Sequence, residues 1–239
     1  TEPANSDNNI FIGRKSGGGD WWAGADEKNE FNVCIGNYTM DASLAGANYN
    51  TALGYESLGG ITTGEANIGV GAYALTALPT GTRNTVMGYN AMATADGAES
   101  DNVAIGYRAM EVINNSASGQ NVAIGSYAMS KITTASVGNC VAIGYNALTG
   151  SSATSEDGTI AIGSNALAAL TSGAGNIAIG YNALSQHTTG ARNIAIGYGA
   201  MDETAGDVDD APDSDHNVFI GHDSGGGNWV DSSPNHYNV

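Results

Sequence analysis

The sequence predicts an all-β fold, a single-stranded parallel β-solenoid of about 12 coils that runs continuously over residues 1–239. Two observations predict it: a glycine recurs at a nearly constant interval, and a strand-like triplet precedes each copy of this glycine. A helix is disfavoured, because glycine in every short segment opposes helix formation.

The recurrent glycine, called here the corner glycine, occurs in 12 copies. The intervals between copies are 23, 18, 17, 17, 18, 19, 19, 19, 17, 17 and 24 residues, so the nine central intervals stay within 17 to 19. Glycine suits a corner whose backbone angles exclude most side chains. The corner glycines are Gly13, Gly36, Gly54, Gly71, Gly88, Gly106, Gly125, Gly144, Gly163, Gly180, Gly197 and Gly221.

The three residues before each corner glycine, called the strand triplet, alternate large, small and large in most copies, as in Val103, Ala104 and Ile105. This period of two predicts a strand with one buried face, and we expect ladders of the large aliphatic residues to fill the core. A Leu or Met lies four residues after the corner glycine in 10 of 12 copies. We expect this anchor residue to point back into the core.

Asparagine occupies the position four residues before the corner glycine, called the rung position, in 10 of 12 copies. Cys140 and Thr159 are the exceptions. Stacked coils would align these amides into a ladder, although independent turn formation also explains them, and both can hold. The rung asparagines are Asn9, Asn32, Asn50, Asn67, Asn84, Asn102, Asn121, Asn176, Asn193 and Asn217.

Residues 143–148 resemble the hexapeptide pattern of left-handed β-helices, and residues 193–198 resemble the head repeats of trimeric autotransporter adhesins. Residues 9–13 and 217–221 are similar to a Phe-containing version of the repeat in phage tail fibres and bacterial surface proteins. The resemblance implies a left-handed β-helix or β-roll in an oligomeric, usually trimeric, fibre. Hexapeptide acyltransferases share such coils, but they add a catalytic histidine with a loop or helical extension, and we find no matching assembly.

The two ends of the chain are alike, since residues 3–33 resemble the module at residues 202–239. We therefore divide the solenoid into an N-terminal module at 1–35, a regular shaft at 36–201 and a C-terminal module at 202–239. Three explanations stay open: the chain belongs to a longer array, copies stack head to tail, or aromatic residues cap the core. End-to-end contacts would use Phe11, Trp21, Trp22, Phe219, Trp229 and Tyr237.

The formal net charge of -17, with only seven Lys and Arg residues, argues against binding to nucleic acid or anionic lipid. Membrane insertion is not expected, because no segment approaches the roughly 18 apolar residues of a membrane span. Cys34 and Cys140 are expected to be small buried residues without a mutual disulfide. The histidines His187, His216, His222 and His236 are expected at the surface or in turns, although a weak metal site near His216 and His222 is conceivable.

Two groups of side chains are candidate binding sites. The acidic loop before the last coil is either a solvated loop or a calcium site, the one cofactor considered, formed by Asp207, Asp209, Asp210, Asp213 and Asp215. Tyrosines that follow corner glycines either stack between coils or form an exposed stripe for sugar or partner binding. These tyrosines include Tyr89, Tyr107, Tyr145, Tyr181 and Tyr198.

The sequence thus predicts a structural or adhesive fibre segment without catalysis, located outside the cell or on a virion or cell surface. Its expected partners are copies of itself, as a homotrimer or a head-to-tail polymer, and a cell-surface glycan or receptor. The alternative is a self-assembling extracellular filament subunit, and a third hypothesis is a hexapeptide-type acyltransferase.

Overall fold

The computed structural model describes residues 7–19, 28–95, 97–113, 119–132, 137–150, 157–202 and 215–226. These residues form strands and turns without a helix, so no helix in these ranges could cross a membrane. The chain divides into two compact units, Thr1–Gln120 and Asn121–Val239. The predicted all-β parallel β-solenoid is confirmed. The division at residues 35 and 201, and the left-handed sense of the coil, stay predictions.

The described residues of unit 1, Thr1–Gln120, contain seven strands, six of which coincide with strand triplets. Those six, β1 to β6, pair in parallel in chain order and with equivalent residues opposite one another, as Thr51 pairs with Ile68. The strands are β1 (Ile10–Ile12), β2 (Val33–Ile35), β3 (Thr51–Leu53), β4 (Ile68–Val70), β5 (Thr85–Met87), β6 (Val103–Ile105) and the short β7 (Val112–Ile113).

Unit 2, Asn121–Val239, repeats this organisation with six strand triplets. The parallel order is β8, β10, β11, β12, β13 and β14, again with equivalent residues paired. The strands are β8 (Val122–Ile124), the short β9 (Lys131–Ile132), β10 (Val141–Ile143), β11 (Ile160–Ile162), β12 (Ile177–Ile179), β13 (Ile194–Ile196) and β14 (Val218–Ile220).

The strand triplets face the opposite way from the prediction. The middle residue points into the core, as Ala52 and Ala104 show with at most 1% exposure, whereas the flanking Leu53 is 45% exposed. The expectation that large aliphatic residues of the triplets fill the core is therefore wrong. The first and third residues of each triplet instead form an outward surface, which we call the aliphatic face.

The interior is filled by the anchor residues, by the small residue that precedes each of them and, in several coils, by a further aliphatic residue three or four positions after the anchor, as Ile61 and Leu78 show. All ten anchor residues are fully buried, as predicted, and so are their preceding Ala, Ser or Thr neighbours. With this Leu or Met inside every regular coil, the side chain beside it at the middle of the triplet is no larger than that of Val86. The anchor residues are Met40, Leu58, Leu75, Met92, Met110, Met129, Leu148, Leu167, Leu184 and Met201.

The first and last coils exchange the positions of these large and small residues. Phe11 and Phe219 occupy the middle of their triplets, and glycine, Gly17 or Gly225, replaces the anchor residue. A Cβ added to Gly17 would lie 2.5 Å from Cε1 of Phe11, and one added to Gly225 would lie 2.7 Å from Cδ1 of Phe219. Each ring therefore occupies the space that an anchor side chain would otherwise need.

Each coil also bends through left-handed backbone conformations that the sequence analysis did not foresee. Three residues per coil have φ between 45° and 71°: the residue before the rung position, the second residue after the corner glycine, and the anchor position. Bulky side chains such as those of Leu75 and Tyr73 rarely adopt this region.

Hydrogen bonds between coils hold these strained residues in place. The amide of Tyr38 donates to the carbonyl of Arg14 in the preceding coil at 2.9 Å, and the amide of Met40 donates to the carbonyl of Ser57 in the following coil at 3.2 Å. Other coils repeat this alternation, as Asn182 and Leu184 show in unit 2. The turns are thus bonded to neighbouring coils as the strands are, which offsets the local strain.

The corner glycines are required by both conformation and space. Their φ values lie between 130° and 144°, a region that is essentially limited to glycine. A Cβ on Gly144 would also lie 2.5 Å from the carbonyl oxygen of Gly163 in the next coil. Successive coils therefore approach too closely at this corner for any side chain.

Gly144→Ala should consequently lower the free energy of unfolding by about 3 kcal/mol or more, since strain and a backbone clash add. Gly158→Ala is the matched control: its φ is 70°, but nothing lies within 4 Å of an added Cβ. We expect this control to cost only about 1 kcal/mol. Urea unfolding of both variants measures the difference, and equal losses would contradict the close-approach argument.

The alkaline stability of the protein should depend on Cys34. Burial raises the pKa of this thiol from 9.0 to about 12. Because the folded pKa is the higher one, the stabilisation is complete below the unfolded value and is lost as pH rises between 9.0 and about 12. Wild type should therefore lose up to about 1.4 kcal/mol per pH unit relative to Cys34→Ala in this window.

Urea unfolding of wild type and Cys34→Ala at pH about 8 and about 10.5 measures this difference. Alanine occupies the same position in other coils, as at Ala52, so this variant keeps the local packing pattern. Parallel pH profiles of the two proteins would rule out a contribution from the thiol.

Candidate functional site

The rung asparagines form a hydrogen-bonded ladder, and all of them are buried except the half-buried Asn9. The Oδ1 atom of Asn32 accepts from the backbone amide of Asn50 at 2.9 Å and from its Nδ2 at 3.2 Å. Nδ2 of Asn50 also donates to the carbonyl of Gly64 at 2.9 Å. In unit 1 such contacts connect Asn9 through Asn102. Each of these asparagine side chains thus connects its own coil to a neighbouring coil by hydrogen bonds, so the ladder stabilises the stack of coils.

The ladder is interrupted in unit 2. The amide of Cys140 still donates to Oδ1 of Asn121 at 3.0 Å, but cysteine offers no amide to the next coil. At the following rung, the buried Oγ1 of Thr159 has no hydrogen-bond partner within the described part of the chain. The ladder resumes at Asn176 and continues to Asn193 and Asn217. Both cysteines are buried, as expected.

An exposed row of tyrosines, called the aromatic row, runs along one corner of unit 1. It comprises Tyr38, Tyr55, Tyr73, Tyr89 and Tyr107, with neighbouring ring centroids 5.3 to 5.8 Å apart. Tyr55, Tyr89 and Tyr107 are 40%, 47% and 43% exposed. The expected stacking between coils is therefore present, and three of the rings remain accessible, whereas binding of a sugar or a partner stays a prediction.

Unit 2 carries shorter runs of the same kind. Tyr127 contacts Tyr145 edge to face at 6.2 Å, and Tyr181, Tyr198 and His222 stack at 5.1 and 5.2 Å. Sequence analysis missed Tyr38, Tyr73 and Tyr127, which lie two residues after a corner glycine instead of one. Their left-handed conformation brings them into the row, and their regular spacing from the glycine was the available signal.

Charged residues modify the two ends of the row in unit 1. The guanidinium of Arg14 lies 5.5 Å from the ring centroid of Tyr38, and that of Arg108 lies 5.4 Å from the centroid of Tyr107. The hydrogen bond with Glu56 raises the pKa of Tyr55 to about 12. The row thus presents phenol rings, with the Glu56 side chain beside Tyr55 and a cation at each end.

A second exposed aromatic contact lies at a different corner. Phe31 and Tyr49 stack with centroids 5.1 Å apart and planes 3° apart, just before the rungs Asn32 and Asn50. Two coils further along the same corner, Arg83 forms a bidentate contact with Asp101 at 2.6 and 2.8 Å. This contact holds the pKa of Asp101 below its ordinary value.

Only some residues of the remaining candidate sites lie within the described ranges. Phe11 and Phe219 are half-buried against Gly17 and Gly225, whereas Trp21, Trp22, Trp229 and Tyr237 lie outside the described residues. Of the five calcium candidates, only Asp215 is described, and it accepts from the amide of Ala191 at 2.6 Å. Asp207, Asp209, Asp210 and Asp213 lie outside the described ranges, within which no group of three potential metal ligands occurs. The calcium site and the end-to-end contacts stay predictions.

The histidines have different environments. His187 is only 2% exposed and lies beside the rung Asn193, and its amide donates to the carbonyl of Leu184, so of the two expected positions it occupies a turn and not the surface. His216 contacts Arg192 at 2.5 Å, and His222 is exposed, stacks on Tyr198 and pairs with Asp223 at 2.9 Å. His236 lies outside the described residues.

Repairing the interrupted ladder should stabilise the protein. An asparagine in Thr159→Asn would face the carbonyl of Gly173, 14 residues downstream, as Asn176 faces Gly190 over the same separation. We expect about 1 kcal/mol of added stability relative to Thr159→Val, which only removes the unpartnered hydroxyl. Thermal and urea unfolding of both variants test this, and a less stable asparagine variant would contradict the ladder geometry.

Comparison with known proteins assigns no family to this chain. No protein-family model matches the chain, and neither a curated protein nor a solved structure matches it. The resemblance to adhesin heads and tail fibres therefore rests on the residues of the repeat, and the solenoid rests on the structure.

Proposed function

We propose that this chain is a structural and adhesive segment of an extracellular fibre, of the phage tail-fibre or bacterial surface-adhesin type. The aromatic row is the observation that carries the proposal. A scaffold of stacked coils fixes five tyrosines, three of them exposed and two half-buried, at a spacing of 5.3 to 5.8 Å, which suits a repetitive ligand better than a single small molecule.

The chemistry of the row favours a glycan. Neutral phenol rings offer flat apolar faces and hydroxyl groups, which suit the apolar faces and hydroxyl groups of sugar rings. The net charge of -17 would repel a sulfated or otherwise acidic polysaccharide. A neutral surface glycan is therefore the proposed ligand, and an extracellular, virion or cell-surface location follows from it.

The buried polar groups support a structural role. The rung asparagines other than Asn9 are buried, and neighbouring ones are bonded to one another and to backbone carbonyls, so they contribute to coil stacking. The recurrent residues of the repeat are each accounted for by this stacking. An acyltransferase, the third hypothesis, gains no support from any described side-chain arrangement.

The filament alternative has its own supporting observation. Among the described strands, β1 pairs only with β2 and β14 only with β13, so each has an edge that another strand could use. A cavity of about 440 Å³ at β14, lined by Val218, Phe219, Ile220, Ser224 and Gly225, offers a place for such an approach. Head-to-tail stacking through these ends would produce open-ended fibres.

Binding to polysaccharide beads tests the adhesive role. We expect the chain to bind cellulose or chitin beads and not heparin beads, because the first two are neutral. Replacing Tyr89 and Tyr107 by serine should weaken binding at least about 10-fold, since each ring contributes stacking energy. Phe31→Ser, which removes an exposed ring from a different corner, is the matched control and should bind as wild type does.

Failure of the wild-type chain to bind either neutral bead would contradict the adhesive role. Negative-stain electron microscopy of the same preparation separates the two structural hypotheses. Rods of one length are expected for a fibre segment, whereas open-ended fibres would favour the filament subunit.

A further inference from the structure

The aliphatic face of unit 1 is a large apolar surface without a charged residue. It consists of the first and third residues of β1 to β6, which are Ile, Val, Leu, Met or Thr in every strand. Because equivalent residues pair in register, these side chains form two parallel columns across the six strands. The result is a regular, flat face of branched and unbranched apolar side chains.

This face is exposed to an extent that is unusual for apolar residues. Ile10, Ile12, Ile35, Leu53, Ile68 and Met87 are between 38% and 57% exposed. These six side chains alone expose on the order of 500 Å² of mainly apolar surface, close to the upper range for the largest apolar patch of a monomer. The remaining residues of the face extend it toward the roughly 800 Å² that each partner contributes to a typical stable interface.

The net charge of the chain and the spacing of its side-chain columns together indicate which partner covers the aliphatic face. Two copies of a chain with a net charge of -17 repel each other, and an uncharged face is where they can approach at least cost. The columns repeat once per coil, so a second copy presents side chains at the same spacing along the whole length of the contact. A partner surface whose side chains repeat at a different spacing would fall out of register with these columns within a few coils.

We propose that the aliphatic face of unit 1 packs against the same face of a second copy of this chain. The inference rests on the proposed fibre function and deepens it, because it assigns the surface through which the segment assembles side by side. The aromatic row stays free for ligand in such an assembly, since it lies beyond the corner glycines. The unpaired backbone edges of β1 and β14 are not involved, so lateral packing differs from head-to-tail stacking.

Met87→Lys and Tyr89→Lys form a matched pair for testing this assignment. The two residues lie in one coil, on either side of Gly88, and are 49% and 47% exposed. Met87 belongs to the aliphatic face, and Tyr89 belongs to the aromatic row. A lysine at Met87 would be buried without a partner in the assembly, which should weaken association at least about 100-fold. The lysine at Tyr89 should leave association unchanged.

Sedimentation equilibrium of the full chain measures the effect. Wild type and Tyr89→Lys are expected at a multiple of 24.1 kDa, and Met87→Lys is expected at 24.1 kDa at the same concentration. Circular dichroism checks that each variant is folded. If Met87→Lys does not fold, Leu53→Lys, at a position that is 45% exposed in a different coil, replaces it.

Three outcomes would overturn the inference: a wild-type mass of 24.1 kDa, an unchanged multimer in the face variant, or equal dissociation of both lysine variants. Bead binding separates this result from the proposed function. A monomeric Met87→Lys chain that still binds neutral polysaccharide supports both proposals, and a wild-type multimer that binds no bead contradicts the adhesive function alone.

Discussion

Hydrogen bonding between equivalent backbone groups of successive coils is the interaction on which the rest of this structure depends. It extends through the strands and into the turns, where residues such as Tyr38 and Met40 donate to opposite neighbours. Equivalent residues must consequently lie above one another. This registration places one corner glycine against the next and aligns buried asparagines, which would be costly as isolated polar groups.

The same registration determines the chemistry of the surface. A residue type that recurs in the sequence becomes a continuous row, so small preferences at one position add up along the stack. Outward Ile, Val and Leu residues produce the aliphatic face, and tyrosines near the corner glycines produce the aromatic row. Two surfaces of different character therefore lie on either side of one glycine corner, as Met87 and Tyr89 illustrate.

Much of the fold could be predicted from the sequence, because the corner glycines mark each coil and the anchor residues occur at a fixed distance from them. The direction in which the strand triplets face could not be predicted. In an alternating triplet, either the middle residue or the two flanking residues can point into the core. Hydrophobicity alone favours the flanking residues, which in fact point outward. The buried anchor Leu75 and its neighbour Ala74 already fill the interior, which is the information that settles the phase. The left-handed backbone conformations in the turns could not be predicted, because Leu and Tyr rarely adopt them.

The exchange between Phe and the anchor residue in the terminal coils has a consequence for how such repeats change over evolution. Phe11 with Gly17 fills the volume that a small triplet residue and a Leu or Met fill elsewhere. The middle triplet residue and the anchor residue thus form one packing unit, although five residues lie between them in the chain. In related repeats these two positions should covary, with their summed side-chain volume conserved while neither residue is conserved by itself.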